Sequence, residues 1–198
     1  MANYCEYVMR VKGEPQNVDQ FVNLMKSVMP SIKPKWSELI ANGKKTIEVR
    51  KTRPKLETPF KCYIYCTKST GSDFLWVLNE IGRAKFAGKT SKIADVFGAK
   101  DVGGCYKCNG KVIGEFVCDY ILEITPDTYG YHEYCISDDD LNASCLTVND
   151  LWEYANGKTL YGWHISDLVI YDEPKELSEF GLPRPPQSWY YVSRGSWQ

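Results

Sequence analysis

The feature that most constrains the fold is a series of apolar segments with the composition of β-strands. The longest, KVIGEFVCDYILEI at residues 111–124, contains β-branched and aromatic residues throughout. FKCYIYCTK at residues 60–68 predicts another strand, and LYGWHISDLVIYDEP at residues 160–174 predicts a pair. Two more are expected, in residues 46–50 and at the end of LPRPPQSWYYV (182–192). Since strands and helices do not alternate regularly, we expect an α+β fold, either a curled, mostly antiparallel sheet or a small β-barrel with short helices at its ends.

Helical spacing of apolar residues predicts short helices between these strands. The four segments are VDQFVNLMKSV (18–28), SIKPKWSELIANG (31–43), DFLWVLNEIGRAKF (73–86) and TVNDLWEYANG (147–157). In the second segment, Pro34 suits a helix start and Gly43 a helix end. In the fourth, Thr147 or Asn149 is the expected N-cap and Gly157 the terminator.

The chain of 198 residues is long enough for one domain with an appendage. A strand in YCEYVMRVKG and the helix after it predict an N-terminal βα unit over residues 1–29, which is an extension or, as the alternative, an added edge of the main sheet. Residues 30–198 then form the main domain, with a helical insertion at about 68–104. No apolar run approaches the roughly 20 residues of a membrane span, and no signal-peptide pattern is present, so we expect a cytoplasmic protein.

The eight cysteines are expected to be reduced and mostly buried, since no export signal accompanies them. Cys105 and Cys108 form the chain's only CxxC pair. A structural zinc site usually needs two such pairs, or one pair and histidines, and His132 and His164 lack the matching spacing. We therefore expect no cofactor, with a metal at the CxxC pair as the minor alternative.

The near-zero net charge hides a strong asymmetry along the chain. Eight basic residues lie between positions 33 and 55, namely Lys33, Lys35, Lys44, Lys45, Arg50, Lys51, Arg53 and Lys55. Asp138, Asp139 and Asp140 belong to an acidic, aromatic stretch, residues 125–144, for which we expect a mobile loop or a short helix. A local basic patch is typical of phosphate-backbone binding, although a solvated basic face gives the same pattern.

The segment GKKTIEVR, residues 43–50, combines the basic patch with a strand. Side chains alternate along a strand, so Thr46, Glu48 and Arg50 are expected on one face and Ile47 and Val49 on the other. Glu48 and Arg50 then form either a structural ion pair or part of a binding site. An arginine there can bind a base edge or a phosphate through two hydrogen bonds, which a lysine does not reproduce.

Several segments together resemble an ASCH domain of the PUA-like superfamily. They are SIKPKWSELIANGKKTIEVRK, PFKCYIYCTK, GKVIGEFVCDYI, LYGWHISDLVIYDEPKELSEF and RPPQSWYYV, which cover residues from about 30 to the C-terminus in order. The G-x-K-x-x-E-x-R core is Gly43, Lys45, Glu48 and Arg50. The resemblance implies a small β-barrel with a cleft between strands and an RNA-related role.

The resemblance also implies catalytic candidates, because one group of ASCH proteins hydrolyses the acetyl amide of N4-acetylcytidine and others are proposed to cut RNA. The acetylcytidine hydrolases use a lysine, a threonine three residues later and a glutamate on a later strand. Lys45 and Glu115 match the first and last, while Glu48 occupies the threonine position. The catalytic candidates are therefore Lys45, Glu48 and Glu115.

We expect these residues to meet binding candidates around one cleft. Those candidates are Lys33, Lys44, Arg50, Trp163, His164, Ser188 and Trp189. The tryptophans suit base stacking, with core packing as the alternative. The sequence therefore predicts an RNA- or nucleotide-binding module. A hydrolase of a modified nucleoside or of RNA, using Lys45 and Glu115, is the alternative, and a protein-interaction module using the proline-rich end and the acidic stretch is the second.

Overall fold

The computed structural model describes residues 26–68, 75–85, 93–94, 103–127 and 133–193. Its strands are β1 Lys26–Ile32, β2 Ile47–Arg50, β3 Phe60–Cys66, β4 Trp76–Leu78, β5 Ile93–Ala94, β6 Cys105–Lys107, β7 Val112–Cys118, β8 Ile121–Pro126, β9 Tyr134–Cys135, β10 Leu160–His164, β11 Ser166–Lys175 and β12 Trp189–Ser193. Its α-helices are α1 Pro34–Ala41, α2 Glu80–Lys85, α3 Asp138–Ser144 and α4 Val148–Ala155. A 3₁₀ helix spans Leu177–Phe180.

The largest sheet has five strands in the order β11-β7-β3-β1-β12. Strands β1 and β3 run parallel, and every other neighbouring pair in this sheet is antiparallel. Alternate residues of β3 divide between its two faces: Cys62 and Ile64 belong to the largest apolar cluster, while Tyr63 and Tyr65 belong to a smaller cluster with Phe180. Both faces of this sheet are therefore covered.

The second sheet has the order β2-β10-β8-β9, and β2 is its edge strand. Trp163 of β10 packs in the largest apolar cluster, whereas Ile47 and Val49 of β2 pack in a second cluster that includes Leu151 of α4. Both faces of β2 are thus buried. A third, three-stranded sheet has the order β5-β4-β6.

The mixed α+β class predicted from the sequence is confirmed. The predicted strands of residues 60–68 and 160–174 are present as β3 and as the pair β10 and β11. Closure into a barrel is not observed, because the described strands form three separate sheets.

The helix predicted in residues 147–157 is confirmed as α4. The Thr147 hydroxyl accepts a hydrogen bond from the Asp150 N–H at 3.1 Å, and the Asp150 carboxylate accepts one from the Thr147 N–H at 2.8 Å. This reciprocal arrangement is a capping box, which satisfies N–H groups that the first helical turn leaves unpaired. After Asn156, Gly157 has φ +74°, a value that favours glycine at a helix end.

Three element predictions were wrong in part. Residues 26–28, expected at the end of a helix, are in β1, because the strand pairs with both β3 and β12. Residues 76–78, expected to be helical, form β4 between β5 and β6, so the helix in the predicted insertion is limited to α2. Residues 111–124 form two strands, β7 and β8, separated at Asp119 and Tyr120.

The acidic stretch contains a short helix rather than only a loop. Asp138, Asp139 and Asp140 occupy the first turn of α3, where carboxylates interact favourably with the helix dipole. Ser137 caps this helix by accepting a hydrogen bond from the Asp140 N–H at 3.1 Å.

Some predictions concern residues that the structure does not describe. Most of the proposed N-terminal extension, residues 1–25, and His132 lie outside the described ranges. The proposed boundary after residue 29 falls inside β1. None of the described helices has the length and apolar character needed to cross a membrane.

The capping box predicts that Thr147→Ala destabilises the fold by about 1 kcal/mol, because the α4 N-terminus loses a side-chain acceptor. Urea unfolding followed by circular dichroism measures this change. Thr147→Ser, which retains a hydroxyl, is the matched control. Equal unfolding midpoints for wild type and Thr147→Ala would contradict the proposed role of the cap.

Candidate functional site

The candidate site is built on the face of β2 that points into the largest apolar cluster. Glu48 pairs across the sheet with Trp163, so these two side chains share that face. Arg50 lies two residues further along the strand and therefore on the same face. Glu48 and Arg50 are only 5% and 6% exposed. Charged groups at this depth must be paired and hydrogen-bonded, because burial removes their hydration.

Three charged residues form ion pairs here. They are Lys45, Glu48 and Arg50, and we call them the buried charge cluster. Glu48 Oε1 lies 3.0 Å from Arg50 Nη2, and Glu48 Oε2 lies 3.6 Å from Lys45 Nζ. Lys45 Nζ also donates a hydrogen bond to the carbonyl oxygen of Ser144, at the end of α3, at 2.5 Å. One carboxylate thus links Arg50, at the end of β2, with Lys45, which precedes the strand.

Lys45 is the most deeply buried member, with 2% of its surface exposed. Burial lowers the pKa of Lys45 from its ordinary value of 10.5, and the neighbouring Glu48 carboxylate offsets part of this effect. The ammonium also lies 5.1 Å from the centre of the Trp36 ring, which is a favourable cation–π distance.

Arg50 connects the cluster to two other segments. Its Nη2 group donates to the Ser31 carbonyl at 2.8 Å, and its Nη1 group donates to the Ser188 carbonyl at 3.3 Å. Ser31 itself donates from its backbone N–H to the Ser188 carbonyl at 2.8 Å and from its hydroxyl to the Pro186 carbonyl at 2.6 Å. Arg50 and Ser31 together fix the proline-rich segment before β12 against β1.

Two buried donors of this region lack an acceptor among the described residues: Arg50 Nε and Trp163 Nε1. The Trp163 ring is fully buried and makes edge contact with Phe60, at a centroid distance of 6.0 Å. A buried donor without an acceptor costs roughly 1–3 kcal/mol, so each exception requires an explanation.

The proline-rich segment borders a groove of about 980 Å³, which we call the proline groove; it is lined by Thr52 and residues 181–190. Trp189 lies at the junction between the groove and the core. Its indole N–H donates to the Thr52 hydroxyl at 3.0 Å, and its ring centroid is 6.2 Å from that of Trp163. The groove therefore borders the buried charge cluster at Ser188 and Trp189.

Exposed basic residues follow β2 in the chain, next to the groove residue Thr52. They are Lys51, Arg53 and Lys55. The Lys55 N–H donates to the Tyr191 hydroxyl at 2.8 Å, and the Tyr191 ring packs edge-on against Trp189 at 5.2 Å. Arg184 adds another cation to the groove lining itself. This side of the molecule therefore presents cations together with aromatic rings.

The structure brings together some of the predicted site residues. Lys45, Glu48, Arg50, Trp163 and the backbone of Ser188 meet in and around the buried charge cluster, and Trp189 lies beside them. The two exposed lysines at the ends of α1 are not members of the buried charge cluster. Lys33 is the N-cap residue of this helix, and Lys44 follows it in the chain.

His164 is not part of this arrangement, although it follows Trp163 directly. Neighbouring residues of a strand point to opposite faces, so His164 faces away from the cluster. Its Nδ1 atom lies 2.6 Å from Asp119 Oδ1, and its ring stacks on Tyr120 at a centroid distance of 4.4 Å. These contacts are those of a hydrogen-bonded structural histidine.

Glu115 also lies apart from Lys45 and Glu48. Its neighbour Phe116 enters the largest apolar cluster, so Glu115 points to the opposite face of the five-stranded sheet. There it binds Lys61 Nζ at 2.5 Å and accepts a hydrogen bond from the Tyr171 hydroxyl at 2.7 Å. Partial burial raises the pKa of Glu115, but the hydrogen bonds from Lys61 and Tyr171 outweigh this effect and hold the pKa below its usual value. The expected meeting of Lys45, Glu48 and Glu115 in one cleft is therefore not found.

Sequence reasoning missed three contributors: Ser31, Trp36 and Ser144. Trp36 lies in the predicted helical segment of residues 31–43, but its approach to Lys45 depends on tertiary packing. Ser31 and Ser144 contribute backbone carbonyls to Arg50 and Lys45, and a backbone contact of this kind leaves no signal in the side-chain pattern.

The cysteines do not form a metal centre in the part of the chain that the structure describes, where no group of three or more metal-ligating side chains occurs. Burial raises the pKa of the Cys66 thiol to about 11 and that of Cys118 to about 12. Thiols held in this way are poor nucleophiles, because the reactive thiolate is scarce at neutral pH.

The lowered pKa of Lys45 predicts a specific pH dependence of stability. Between that lowered pKa and 10.5 the unfolded chain binds more protons at this site than the folded chain, so the Lys45 contribution to the unfolding free energy rises with pH. Wild type should therefore gain stability relative to Lys45→Met as the pH increases within this range. Chemical unfolding at several pH values measures the difference.

The matched control for this measurement is Lys44→Met, which removes a positive charge from the exposed neighbouring position. Identical pH dependence of stability in Lys44→Met and Lys45→Met would show that the effect reflects net charge and not the buried position of Lys45.

Comparison with known proteins gives structural matches only. No protein-family model matches the sequence, and no curated protein matches it. The crystal structure of ASCH from Zymomonas mobilis matches with a TM-score of 0.53 at 16% identity, covering 86% of this chain and 90% of that chain.

Crystal structures of two single-residue variants of the Zymomonas mobilis protein match similarly. Their TM-scores are 0.50 and 0.51, each at 15% identity, and they cover 85% and 86% of this chain and 91% of their own chains. At this level of identity, the likeness concerns the fold. It agrees with the resemblance read from residues 30 to the C-terminus, and the chain thus has the fold of the ASCH domain proteins.

Proposed function

We propose that this protein binds single-stranded RNA, with one nucleotide held in the proline groove beside the buried charge cluster. The observation that carries the proposal is the position of Trp189. This residue lines the groove, contacts Trp163 and belongs to the segment that Arg50 holds through Ser188. An aromatic ring fixed at the border between an open groove and a charged interior suits an unpaired base.

The aromatic side chains supply a sequence-tolerant contribution to affinity. Trp189 is partly exposed, and Tyr190 in the same groove is 58% exposed. Stacking of a base on an aromatic ring typically contributes about 1–3 kcal/mol. The groove volume of about 980 Å³ is at the upper end of ordinary small-ligand sites, so a nucleotide fits its dimensions.

The exposed cations supply the contribution that depends on the phosphate backbone. Arg184 lies in the groove wall, and Lys51, Arg53 and Lys55 follow the strand that carries the charge cluster. Cations that contact phosphates release counterions on binding, which makes affinity fall as salt rises. RNA is the first ligand to test because the ASCH resemblance implies an RNA-related role.

The hydrolase alternative is not supported by the geometry. Glu115 faces the other side of the five-stranded sheet from Lys45, and the Lys45 ammonium already binds Ser144 and Glu48.

The protein-interaction alternative was based on an acidic loop, but residues 138–140 of that stretch belong to the helix α3. The barrel closure, the cytoplasmic location and the N-terminal extension remain predictions from the sequence.

The proposal predicts that wild type binds a fluorescently labelled single-stranded RNA and that affinity decreases steadily with salt. Trp189→Ala should weaken binding by roughly 5- to 150-fold, because a stacking surface is lost. Fluorescence anisotropy titrations at several salt concentrations measure both effects.

Tyr120→Ala is the matched control for Trp189→Ala, since Tyr120 is 44% exposed but stacks on His164 outside the proline groove. The proposal fails if wild type shows no RNA binding at low salt. It also fails if both substitutions weaken binding equally, because the loss would then not be specific to the groove.

A further inference from the structure

We infer that Lys51, held in place by the ring of Tyr154, binds a backbone phosphate of the RNA next to the nucleotide in the proline groove. This inference rests on the proposed function and extends it along the ligand. Because Lys51 lies outside the groove lining, the ligand that contacts both places is an oligonucleotide and not a single nucleotide.

The ammonium of Lys51 lies over the ring of Tyr154, a residue of α4. Its Nζ atom is 4.6 Å from the ring centre, which is a favourable cation–π distance. Both side chains are exposed, so a ligand can reach them from solvent. A lysine side chain loses rotamer freedom when it binds a phosphate, and one already held on a ring loses less. Tyr154 therefore lowers the entropy cost of a phosphate contact by Lys51.

The hydroxyl of Tyr154 also lies near the end of β2. Burial raises the pKa of this hydroxyl, whereas Arg50 and a hydrogen bond from the backbone of Lys51 act in the opposite direction. Tyr154 thus contacts the backbone as well as the ammonium of Lys51. These two contacts fix the ring relative to the segment that carries the lysine.

The N–H groups of Lys51 remain available to a ligand. Lys45, Lys61 and Lys111 each lie within ion-pair distance of a glutamate. Lys51 forms no such pair with any residue that the structure describes. An ammonium has three donors, and an aromatic face attracts its charge without occupying them as a carboxylate does. Lys51 therefore keeps donors for the oxygens of a phosphate.

The position of Lys51 next to Thr52 connects it with the proline groove. Thr52 lines the groove and accepts the indole N–H of Trp189 at 3.0 Å. Consecutive Cα atoms are about 3.8 Å apart, so the long side chain of Lys51 starts directly beside the groove. A phosphate adjacent to a nucleotide that stacks on Trp189 is therefore within its reach.

The contacts of Lys51 and Thr52 also indicate the path of the RNA. Tyr154 belongs to α4, which packs on the second apolar cluster, whereas Trp189 contacts Trp163 of the largest cluster. Two consecutive residues thus contact aromatic rings on opposite sides of the sheet that contains β2. A single strand that leaves the groove at Thr52 and passes over the exposed residues 51–53 meets Lys51 on the far side.

The test measures binding of a fluorescently labelled single-stranded RNA of about eight nucleotides by anisotropy at several salt concentrations. Lys51→Met should reduce the slope of log affinity against log salt by about 0.7, the value for one phosphate contact of a single strand. Tyr154→Leu should weaken binding roughly 2- to 5-fold, the range for an exposed cation–π contact. Tyr154→Phe, which retains the ring, should bind like wild type.

A double variant separates positioning of Lys51 from general structural damage. If Tyr154 acts through Lys51, Tyr154→Leu has no further effect on RNA affinity in the presence of Lys51→Met, because coupled residues are not additive. Lys175→Met is the matched control. Lys175 lies 4.7 Å from the ring centre of Tyr171 in β11, at the opposite edge of the five-stranded sheet from β12, and its loss should leave affinity and salt slope unchanged.

Any of four results would overturn the inference: an unchanged salt slope in Lys51→Met, the same loss of slope in Lys175→Met, additive effects in the double variant, or equal weakening by Tyr154→Phe and Tyr154→Leu. The Lys51→Met measurement does not depend on the folding of a Tyr154 variant. Continued dependence of RNA binding on Trp189 would then leave the groove proposal standing, whereas absence of RNA binding by wild type would remove both.

Discussion

The Glu48 carboxylate, held between Arg50 and Lys45, is the interaction on which the arrangement around the site depends. Because both faces of β2 are buried, the strand carries its charged residues into the protein interior, where an unpaired charge is very costly. The ion pairs of Glu48 with Arg50 and Lys45 offset only part of the cost of burying these charges. The cations also need carbonyl acceptors, and these come from Ser144, Ser31 and Ser188, so α3, β1 and the segment before β12 converge on one strand.

This convergence connects the buried charges to the surface. Arg50 and Ser31 anchor the proline-rich segment by its backbone, and that segment forms most of the groove lining. Prolines restrict the backbone further, since each ring locks one dihedral angle. A groove wall held in this way loses little conformational freedom when a ligand binds, which favours affinity. The same contacts connect charged residues that have almost no exposed surface to the wall of the groove.

Local sequence signals predicted those elements whose stabilisation is local. The helix over residues 147–157, with Thr147 or Asn149 as its expected N-cap, and the helix of residues 31–43 were predicted correctly because helix caps and helical spacing act over a few residues. Residues 26–28 and 76–78 were misread because short apolar runs suit either structure and pairing with distant strands decides between them. Glu115 was grouped with Lys45 by resemblance, yet strand alternation relative to Phe116 places it on the other face of the sheet.

The sequence by itself determined the α+β class, the main strands and the charged strand Ile47–Arg50, because composition and periodicity encode each segment's own preference. The ASCH resemblance came from matching sequence segments. Tertiary structure alone decided which charged side chains meet. Contacts between Arg50 and the carbonyls of Ser31 and Ser188, or between Lys45 and that of Ser144, join residues 19, 138 and 99 positions apart. Every residue type has the same backbone carbonyl, so only the folded structure shows which carbonyls accept hydrogen bonds from Arg50 and Lys45.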